Sequence, residues 1–152
     1  MANLKTVSVS TSMTEGYTIS ADIRGHKVTI DQPENARGTD LGPTPLEQFL
    51  FTMAGCVSTI ARTAAMQQKI DLRGMQVSAS GDLNPAGLLG KPSDDRVGFT
   101  EIRIEASIDA DLTDAQKAEF LDQVCQRCPL HDNVKLASTV VHELVHQLAD
   151  QL

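Results

Sequence analysis

The chain has 152 residues, of which 13 are basic and 20 acidic, so its formal net charge is −7, and 41% of its residues are hydrophobic. An acidic chain lacks the basic footprint with which proteins bind nucleic acid or an anionic membrane surface, and we expect neither as a partner. The length matches one domain of ~100–200 residues, so we expect residues 1–152 to form a single domain.

The sequence also indicates a cytoplasmic protein. The N-terminal residues MANLKTVSVSTS lack the apolar segment of a secretory signal, and the longest uncharged apolar stretch stops at Arg62, short of the ~20 residues of a membrane span. In a reducing cytosol, three cysteines favour reactive thiols or metal ligands over a disulfide framework.

Two segments near the start of the chain alternate apolar and polar side chains. Residues 3–11 and 17–30 do so with period two and are rich in Val, Ile and Thr, which predicts antiparallel strands. Turns are predicted at Glu15-Gly16 and at Arg24-Gly25-His26. Residues 31–45 carry three prolines and two glycines and are predicted to form a loop.

A long helix is predicted after this loop. Thr44, Pro45 and Glu47 form the pattern of a capping box with proline at the first helical position. The helix is predicted to continue to about Gln68, and its side chains are apolar nearly all round. Such a helix is buried on several sides, by a sheet or by a partner subunit. Cys56 lies in its middle.

The second half of the chain repeats the order of strands followed by helix. Residues 75–83 and 99–110 alternate and are predicted strands, joined by an exposed loop rich in Gly, Pro and Asp. Thr113 or Asp114 caps a helix that ends at Cys128-Pro129, and Pro129 opens a short helix through Lys135. This order predicts an α+β protein. Residues 139–149 fit either a helix or a strand.

One candidate site is the H-E-x-x-H pattern of His142, Glu143 and His146. On a helix the two histidines would share a face and could hold zinc, with the glutamate as general base. On a strand the same imidazoles would lie ~13 Å apart and could not share an ion. Only six residues follow His146 to supply a third ligand, so we expect no metal site here.

A second candidate is the C-x-x-C pattern of Cys125 and Cys128, followed by His131. In thioredoxin-like proteins the first cysteine opens a helix, whose dipole stabilises the thiolate. Cys125 instead lies near the end of its predicted helix, on an apolar stripe, and we interpret it as a small buried hydrophobe. A zinc site formed by both cysteines with His131 and Cys56 has a spacing unlike that of standard knuckles.

Cys128 and Cys56 have different surroundings from Cys125. Cys128 precedes Pro129 and can lie at the N-terminus of the short helix, where free N–H groups and Arg127 favour a thiolate. Cys56 needs a stabilising partner, because burial alone raises the pKa of a thiol. Glu47 cannot lower that pKa directly, but it can orient an arginine or accept a hydrogen bond.

Three motifs together resemble the OsmC/Ohr family of thiol peroxidases. They are RGTDLGPTPLEQFL from Arg37, which includes Glu47, then Ala54-Gly-Cys56, and then Cys128-Pro-Leu-His131. The arrangement is most similar to the OsmC-like branch, and the order of elements matches over nearly the whole chain. The resemblance implies an intertwined homodimer in which antiparallel sheets wrap around long central helices.

The resemblance also implies a mechanism that needs no cofactor. Cys56 would attack a hydroperoxide, preferentially an organic one, and become a sulfenic acid. Cys128 would then resolve it to an intramolecular disulfide, and a dithiol reductant, in this family often a lipoylated protein, would restore the thiols. Glu47 would position an arginine over the thiolate.

The chain departs from the family pattern at that arginine. Family peroxidases carry it between the first two strands, where this chain has Ser12-Met-Thr-Glu-Gly16. Arg37, Arg24 and His131 are the candidate replacements, although we favour a solvated surface position for each of the two arginines. The departure supports an alternative function, a non-catalytic OsmC-like module that senses redox state or binds a small molecule without efficient turnover.

Overall fold

The computed structural model of the chain describes residues 3–145, which fall into two compact units. One unit contains residues 3–48 and 139–145, and the other contains Phe49–Ser138. Each unit has one antiparallel sheet of two strands among its described residues. The elements follow the order strand, strand, long helix, strand, strand, helix, helix, which confirms the α+β class. The single domain over 1–152 stays a prediction.

The first unit begins with a β-hairpin. Strand β1 (Ile19–Ile23) pairs with β2 (His26–Ile30) in a ladder that runs from Ile19–Ile30 to Ile23–His26. Arg24 and Gly25 connect the strands with φ angles of 55° and 85°, the left-handed conformations that a tight two-residue hairpin turn requires. The turn predicted at this position is confirmed.

The prediction of a strand over residues 3–11 is wrong for the single chain. These residues belong to no strand, and the neighbouring contact is a single bridge in which Ser12 and Ser20 exchange backbone hydrogen bonds of 2.9 and 3.0 Å. The apolar side chains of Leu4 and Val7 are 90% and 80% exposed. An alternating segment becomes a strand only where it pairs with another strand and packs on an apolar surface, and residues 12–145 provide neither.

Helix α1 (Pro45–Gln68) begins at the predicted cap. The Glu47 carboxylate accepts hydrogen bonds from the Thr44 backbone N–H at 2.7 Å and from its hydroxyl at 2.8 Å. The Glu47 N–H in turn donates to the Thr44 hydroxyl at 3.3 Å. The reciprocal bonds of a capping box are therefore present, and they fix where the helix begins.

The second unit contains a longer hairpin and two helices. Strand β3 (Gly74–Asp82) pairs antiparallel with β4 (Glu101–Asp109) along nine residues of each strand. Helix α2 (Asp114–Arg127) has Thr113 as its N-cap in a capping box with Gln116. Helix α3 (Pro129–Lys135) follows after one residue, Cys128, because proline cannot continue α2 but suits the first position of a new helix.

The core of the second unit is aliphatic and small-sided. Buried side chains come from α1, β4, α2 and the segments between them: Val57, Ala61, Ala64, Ala65, Leu72, Ile108, Ala110, Phe120, Val124 and Cys128. The chain covers only part of α1, because Phe51 and Met66 are 69% and 73% exposed. Burial of the remaining side chains of α1 by a partner subunit stays a prediction.

Helix α1 is also long and apolar enough, by length and composition, to cross a membrane. A core helix of a globular protein meets the same two criteria, and Met53, Val57 and Ala61 of α1 are at most 2% exposed. The helix also carries Arg62 within it. Its packing is therefore that of a core helix.

As far as residue 145, the C-terminal segment does not form the helix that a zinc site would need. Residues 139–145, including His142 and Glu143, lie in neither helix nor strand and are exposed. His146 lies outside the described residues. The expectation of a helix or strand over 139–149 is therefore wrong as far as residue 145.

Candidate active site

Cys56 lies in the middle of α1 and is half-buried against the core. Within a helix the backbone N–H groups around it are used by intrahelical hydrogen bonds, so a partner for the sulfur must come from elsewhere. The backbone N–H of Leu130, in the first turn of α3, acts on this sulfur and lowers the pKa of Cys56. The first N–H groups of a helix have no intrahelical acceptor, which leaves this one free for the sulfur.

Cys128 connects α2 to α3 and is fully buried, with 0% of its surface exposed. Its backbone is extended, with φ −80° and ψ 114°, and it serves as the N-cap of α3. The prediction that it lies at the N-terminus of this helix is confirmed. Its N–H donates to the Cys125 carbonyl at 3.2 Å, and its carbonyl accepts from the backbone N–H of Asp132 at 3.0 Å.

The structure brings Cys56 and Cys128 together, although 72 positions separate them in the sequence. Burial is the largest cause that raises the pKa of Cys56, followed by hydrogen bonding with the Cys128 side chain. The Leu130 N–H opposes both, and repulsion from a Cys128 thiolate adds a further increase. In the single chain the pKa of Cys56 is therefore raised, whereas a reactive thiolate needs it lowered.

Cys125 packs against the same core from the last turn of α2, as interpreted from its apolar stripe. It is half-buried, and burial is the main cause that raises its pKa. Charges on Cys128 and Asp122 add to this increase. Cys128 therefore interacts with Cys56 and with Cys125, and the three thiols form a cluster centred on Cys128.

Glu47 lies in the first turn of α1, where its carboxylate is held by the capping box. The N–H and hydroxyl of Thr44 lower its pKa, because both hydrogen bonds favour the charged form. An ionised carboxylate with a fixed orientation is suited to hold a guanidinium. Its role at Cys56 stays a prediction.

The three candidate replacements for the family arginine lie in separate places. Arg24 is exposed in the turn of the first hairpin. Arg37 is exposed and ends a 3-10 turn over Glu34–Ala36 with φ 69°. His131 is half-buried in the first turn of α3, one residue after Leu130. His131 shares the second unit with Cys56, whereas both arginines belong to the first unit.

Asp31, immediately after β2, is a buried acid that the sequence reasoning did not single out. It is 1% exposed, and its Oδ2 accepts hydrogen bonds from the Thr39 hydroxyl at 2.6 Å, the Thr18 hydroxyl at 3.2 Å and the Leu41 N–H at 3.2 Å. The N–H groups of Gln32 and Thr39 add bonds of 2.7 and 3.3 Å. The Thr39 hydroxyl is the largest cause that lowers the pKa of Asp31, to about 2.

These bonds organise the loop that leads to α1. The Asp31 N–H donates to the Pro43 carbonyl at 3.1 Å, next to the Thr44 cap. A Cβ on Gly38 would collide with the Gln32 backbone, and one on Gly42 would collide with the Thr29 backbone. The signal for this arrangement in the sequence was an acid between an apolar strand and a loop rich in Gly, Pro and Thr.

Among residues 3–145, no group of three or more His, Cys, Asp and Glu side chains is arranged to hold a metal ion. This includes the proposed set of Cys56, Cys125, Cys128 and His131.

Residues 38–143 match the family model described as OsmC-like protein. The chain belongs to this family. The matched segment begins one residue after Arg37 and includes Glu47 and the three cysteines.

Named relatives agree with the family. A protein named hydroperoxide reductase from Mycoplasma genitalium is 25% identical over 146 residues, which cover 91% of this chain and 99% of the relative. The crystal structure of an OsmC like protein from Mycoplasma pneumoniae has a TM-score of 0.75 and 23% identity, and the match covers 88% and 89% of the two chains. An organic hydroperoxide resistance protein from Elizabethkingia anophelis has a TM-score of 0.67 and 17% identity, with 89% and 91% covered.

The structural matches confirm the OsmC-like fold, and the family is one that contains hydroperoxide reductases.

Proposed function

We propose that the protein is a thiol-dependent peroxidase that reduces organic hydroperoxides and acts in the response to oxidative stress. The observation that carries the proposal is the interaction between Cys56, half-buried on α1, and Cys128, fully buried at the start of α3. The hydroperoxide reductase name of a relative that covers nearly the whole chain supports the same reaction class.

The chemistry divides into two steps at these sulfurs. The Cys56 thiolate attacks the O–O bond of the hydroperoxide, the alcohol departs, and the oxygen retained on sulfur gives a sulfenic acid. The Cys128 thiol then attacks the Cys56 sulfur, water departs, and a Cys56–Cys128 disulfide forms. A dithiol reductant, such as a lipoylated protein, returns both sulfurs to thiols by two successive exchanges.

A homodimer explains the apolar surface that the single chain leaves uncovered. Large apolar side chains are exposed on α1 and in the N-terminal segment: Leu4, Val7, Leu46, Phe49, Phe51 and Met66. Soluble proteins rarely leave so many of them to water, and residues 3–11 have the alternation of a strand that pairs with another chain.

The dimer also suggests how Glu47 takes part. Nine residues separate Glu47 from Cys56, about two and a half turns at ~3.6 residues per turn, which directs the two side chains to opposite faces of a helix. We therefore expect Glu47 to act at the Cys56 of the partner chain. There it would orient a cation, for which Arg24, Arg37 and His131 are candidates, and this cation would lower the pKa that burial raises.

The compartment follows from the same chemistry. Cys56, Cys125 and Cys128 are all free thiols, and a peroxidase that must be re-reduced after each cycle suits a reducing cytoplasm. We therefore propose a cytoplasmic location, with the hydroperoxide and the dithiol reductant as partners.

The test is consumption of cumene hydroperoxide by the purified protein in the presence of dihydrolipoamide. Cys56→Ser is expected to abolish consumption, a loss of at least ~1,000-fold, because an alcohol cannot replace the attacking thiolate. Thr59→Ser, an exposed change on the same helix, serves as the matched control and is expected to keep the wild-type rate. Consumption that survives Cys56→Ser would refute the proposal.

A second candidate function is a redox-sensing or small-molecule-binding module. Its support is the raised pKa of Cys56, since a mainly protonated thiol reacts slowly with peroxide. Stopped-flow oxidation followed by turnover distinguishes the two functions. A sensor reacts once and then reacts no further with dihydrolipoamide present, whereas a peroxidase continues to consume hydroperoxide.

A further inference from the structure

Cys125 is the one cysteine without a role in the two-step mechanism, yet it belongs to the same cluster of thiols. Cys125 and Cys56 both pack against the core that contains Cys128. Cys128 has electrostatic interactions with each of them. The buried sulfur therefore has one thiol neighbour from α1 and another from the last turn of α2.

The backbone places Cys125 and Cys128 within reach of a disulfide. They are three residues apart, and the 3.2 Å hydrogen bond from the Cys128 N–H to the Cys125 carbonyl closes the last turn of α2. With ~1.5 Å rise and ~100° rotation per residue, their Cα atoms lie about 5 Å apart. Disulfides span Cα separations of about 4.4–6.8 Å.

The three cysteines differ in exposure, because Cys128 is fully buried whereas Cys56 and Cys125 are both half-buried. An external thiol therefore reaches a disulfide of Cys128 through the partner sulfur. A bridge between Cys125 and Cys128 offers a reductant the half-buried sulfur at the end of α2 and leaves the Cys56 sulfur on α1 free for hydroperoxide.

We propose that Cys125 receives the disulfide from Cys56 in a thiol–disulfide relay. The inference rests on the proposed peroxidase function and adds one step to it. The Cys125 thiolate attacks the Cys128 sulfur of the Cys56–Cys128 disulfide, the bond between Cys56 and Cys128 breaks, and Cys56 leaves as a thiolate. One disulfide is consumed and one formed, so no further oxidant is needed, and the dithiol reductant later reduces Cys125–Cys128.

The Leu130 N–H acts at the Cys56 end of the exchange. It lowers the pKa of Cys56 and so opposes the increase that burial causes in this leaving group. Once released, Cys56 can react with a second hydroperoxide before any reductant arrives. The second sulfenic acid persists, because Cys128 is already bonded to Cys125.

The relay changes how many equivalents of hydroperoxide each chain consumes, and this number can be measured. Without reductant, the wild-type protein is expected to consume about two equivalents of cumene hydroperoxide per chain, and Cys125→Ser and Cys125→Ala about one each. The alanine variant controls for packing, because it removes the thiol without placing a hydroxyl in the apolar site. Dimedone should label Cys56 in the wild type after the second equivalent and leave Cys56 unlabelled in both variants. One equivalent in the wild type would overturn the relay.

Disulfide mapping separates failure of the relay from failure of the peroxidase function. Diamide oxidation forms the disulfide without hydroperoxide, and tryptic peptides then show which cysteines are bonded. The relay is expected to give a bridge between peptides 118–127 and 128–135, whereas a bridge between 38–62 and 128–135 alone would overturn it. If the first bridge forms but cumene hydroperoxide is not consumed, the Cys125–Cys128 disulfide stands and the proposed function fails.

Discussion

Asp31 and Cys56 are both acids removed from water, yet their pKa values shift in opposite directions. Burial raises the pKa in each case. At Asp31 five N–H and O–H donors point at the carboxylate and outweigh burial, so the pKa falls to about 2. At Cys56 the one backbone donor, Leu130, does not outweigh burial and the neighbouring Cys128 thiol.

The difference follows from the backbone around each group. Asp31 begins a loop whose N–H groups are not used by a helix or sheet, so several can turn toward one carboxylate. Cys56 lies within a helix, and the N–H group that lowers its pKa comes from the first turn of α3. A loop can therefore build a stable anion by itself, whereas a thiolate on a core helix needs a cation from outside that helix.

The largest effect is expected from Asp31→Asn. The amide keeps one oxygen but turns an NH₂ group toward N–H and O–H donors, which leaves several of them unsatisfied in a buried site. We expect the Tm to fall by roughly 5 °C or more in differential scanning calorimetry. Asp22→Asn is the matched control, because Asp22 is exposed and accepts one N–H bond, from Gly25 at 2.7 Å.

The pH dependence of stability tests the same carboxylate. The folded pKa of about 2 is below the ordinary value of 3.8, so the unfolded chain binds more protons between these values. The stabilisation by Asp31 is complete above about pH 4 and is lost as the pH falls toward 2. Asp31→Asn should lack this acid-sensitive part, and an equal loss in both proteins would contradict the assignment.

The second-largest effect is expected on the pKa of Cys56 when Cys128 is replaced. Cys128→Ala removes two of the causes that raise the pKa of Cys56, the hydrogen bond and the repulsion between thiolates. The pKa of Cys56 should therefore fall, and its alkylation by iodoacetamide at pH 7.5 should become faster by roughly twofold or more. Mass spectrometry of peptide 38–62 over a range of pH gives the midpoint directly.

Cys125→Ala is the matched control for this measurement. Cys125 is not among the groups that shift the pKa of Cys56, so the alkylation midpoint of Cys56 should stay at its wild-type value. A midpoint that moves equally in both variants would assign the effect to loosened packing instead of to the Cys128 sulfur.

The features that sequence predicted well are local in the chain. The caps at Thr44 and Thr113, the turn at Arg24-Gly25 and the short helix opened by Pro129 each depend on residues within a few positions of one another. The strand over residues 3–11 failed because alternation describes a surface that needs a partner, and the partner is not in the neighbouring sequence.

In the candidate site, too, the features that the sequence did not predict depend on residues far apart in the chain or on the backbone. Pairing of Cys56 with Cys128 came from the family resemblance, since 72 positions of chain separate them and no local pattern joins them. The Leu130 donor is a backbone group, which carries no signature in side-chain sequence. Asp31 was missed because its donors come from Thr18, Gln32, Thr39 and Leu41, and a loop fold decides whether they converge.

The smallest effects are expected when a single hydrogen-bond donor to Asp31 is removed. The shorter the bond removed, the larger the expected change in the pKa of Asp31. Thr39→Val removes the 2.6 Å hydroxyl bond, the largest cause that lowers the pKa, whereas Thr18→Val removes a 3.2 Å bond that is the smallest. Both variants should raise the pKa of Asp31, Thr39→Val by more, as followed by the carboxyl ¹³C shift in an NMR titration. Equal shifts would mean that burial of the carboxylate, and not the geometry of its donors, sets its charge, and the contrast with Cys56 would then fail.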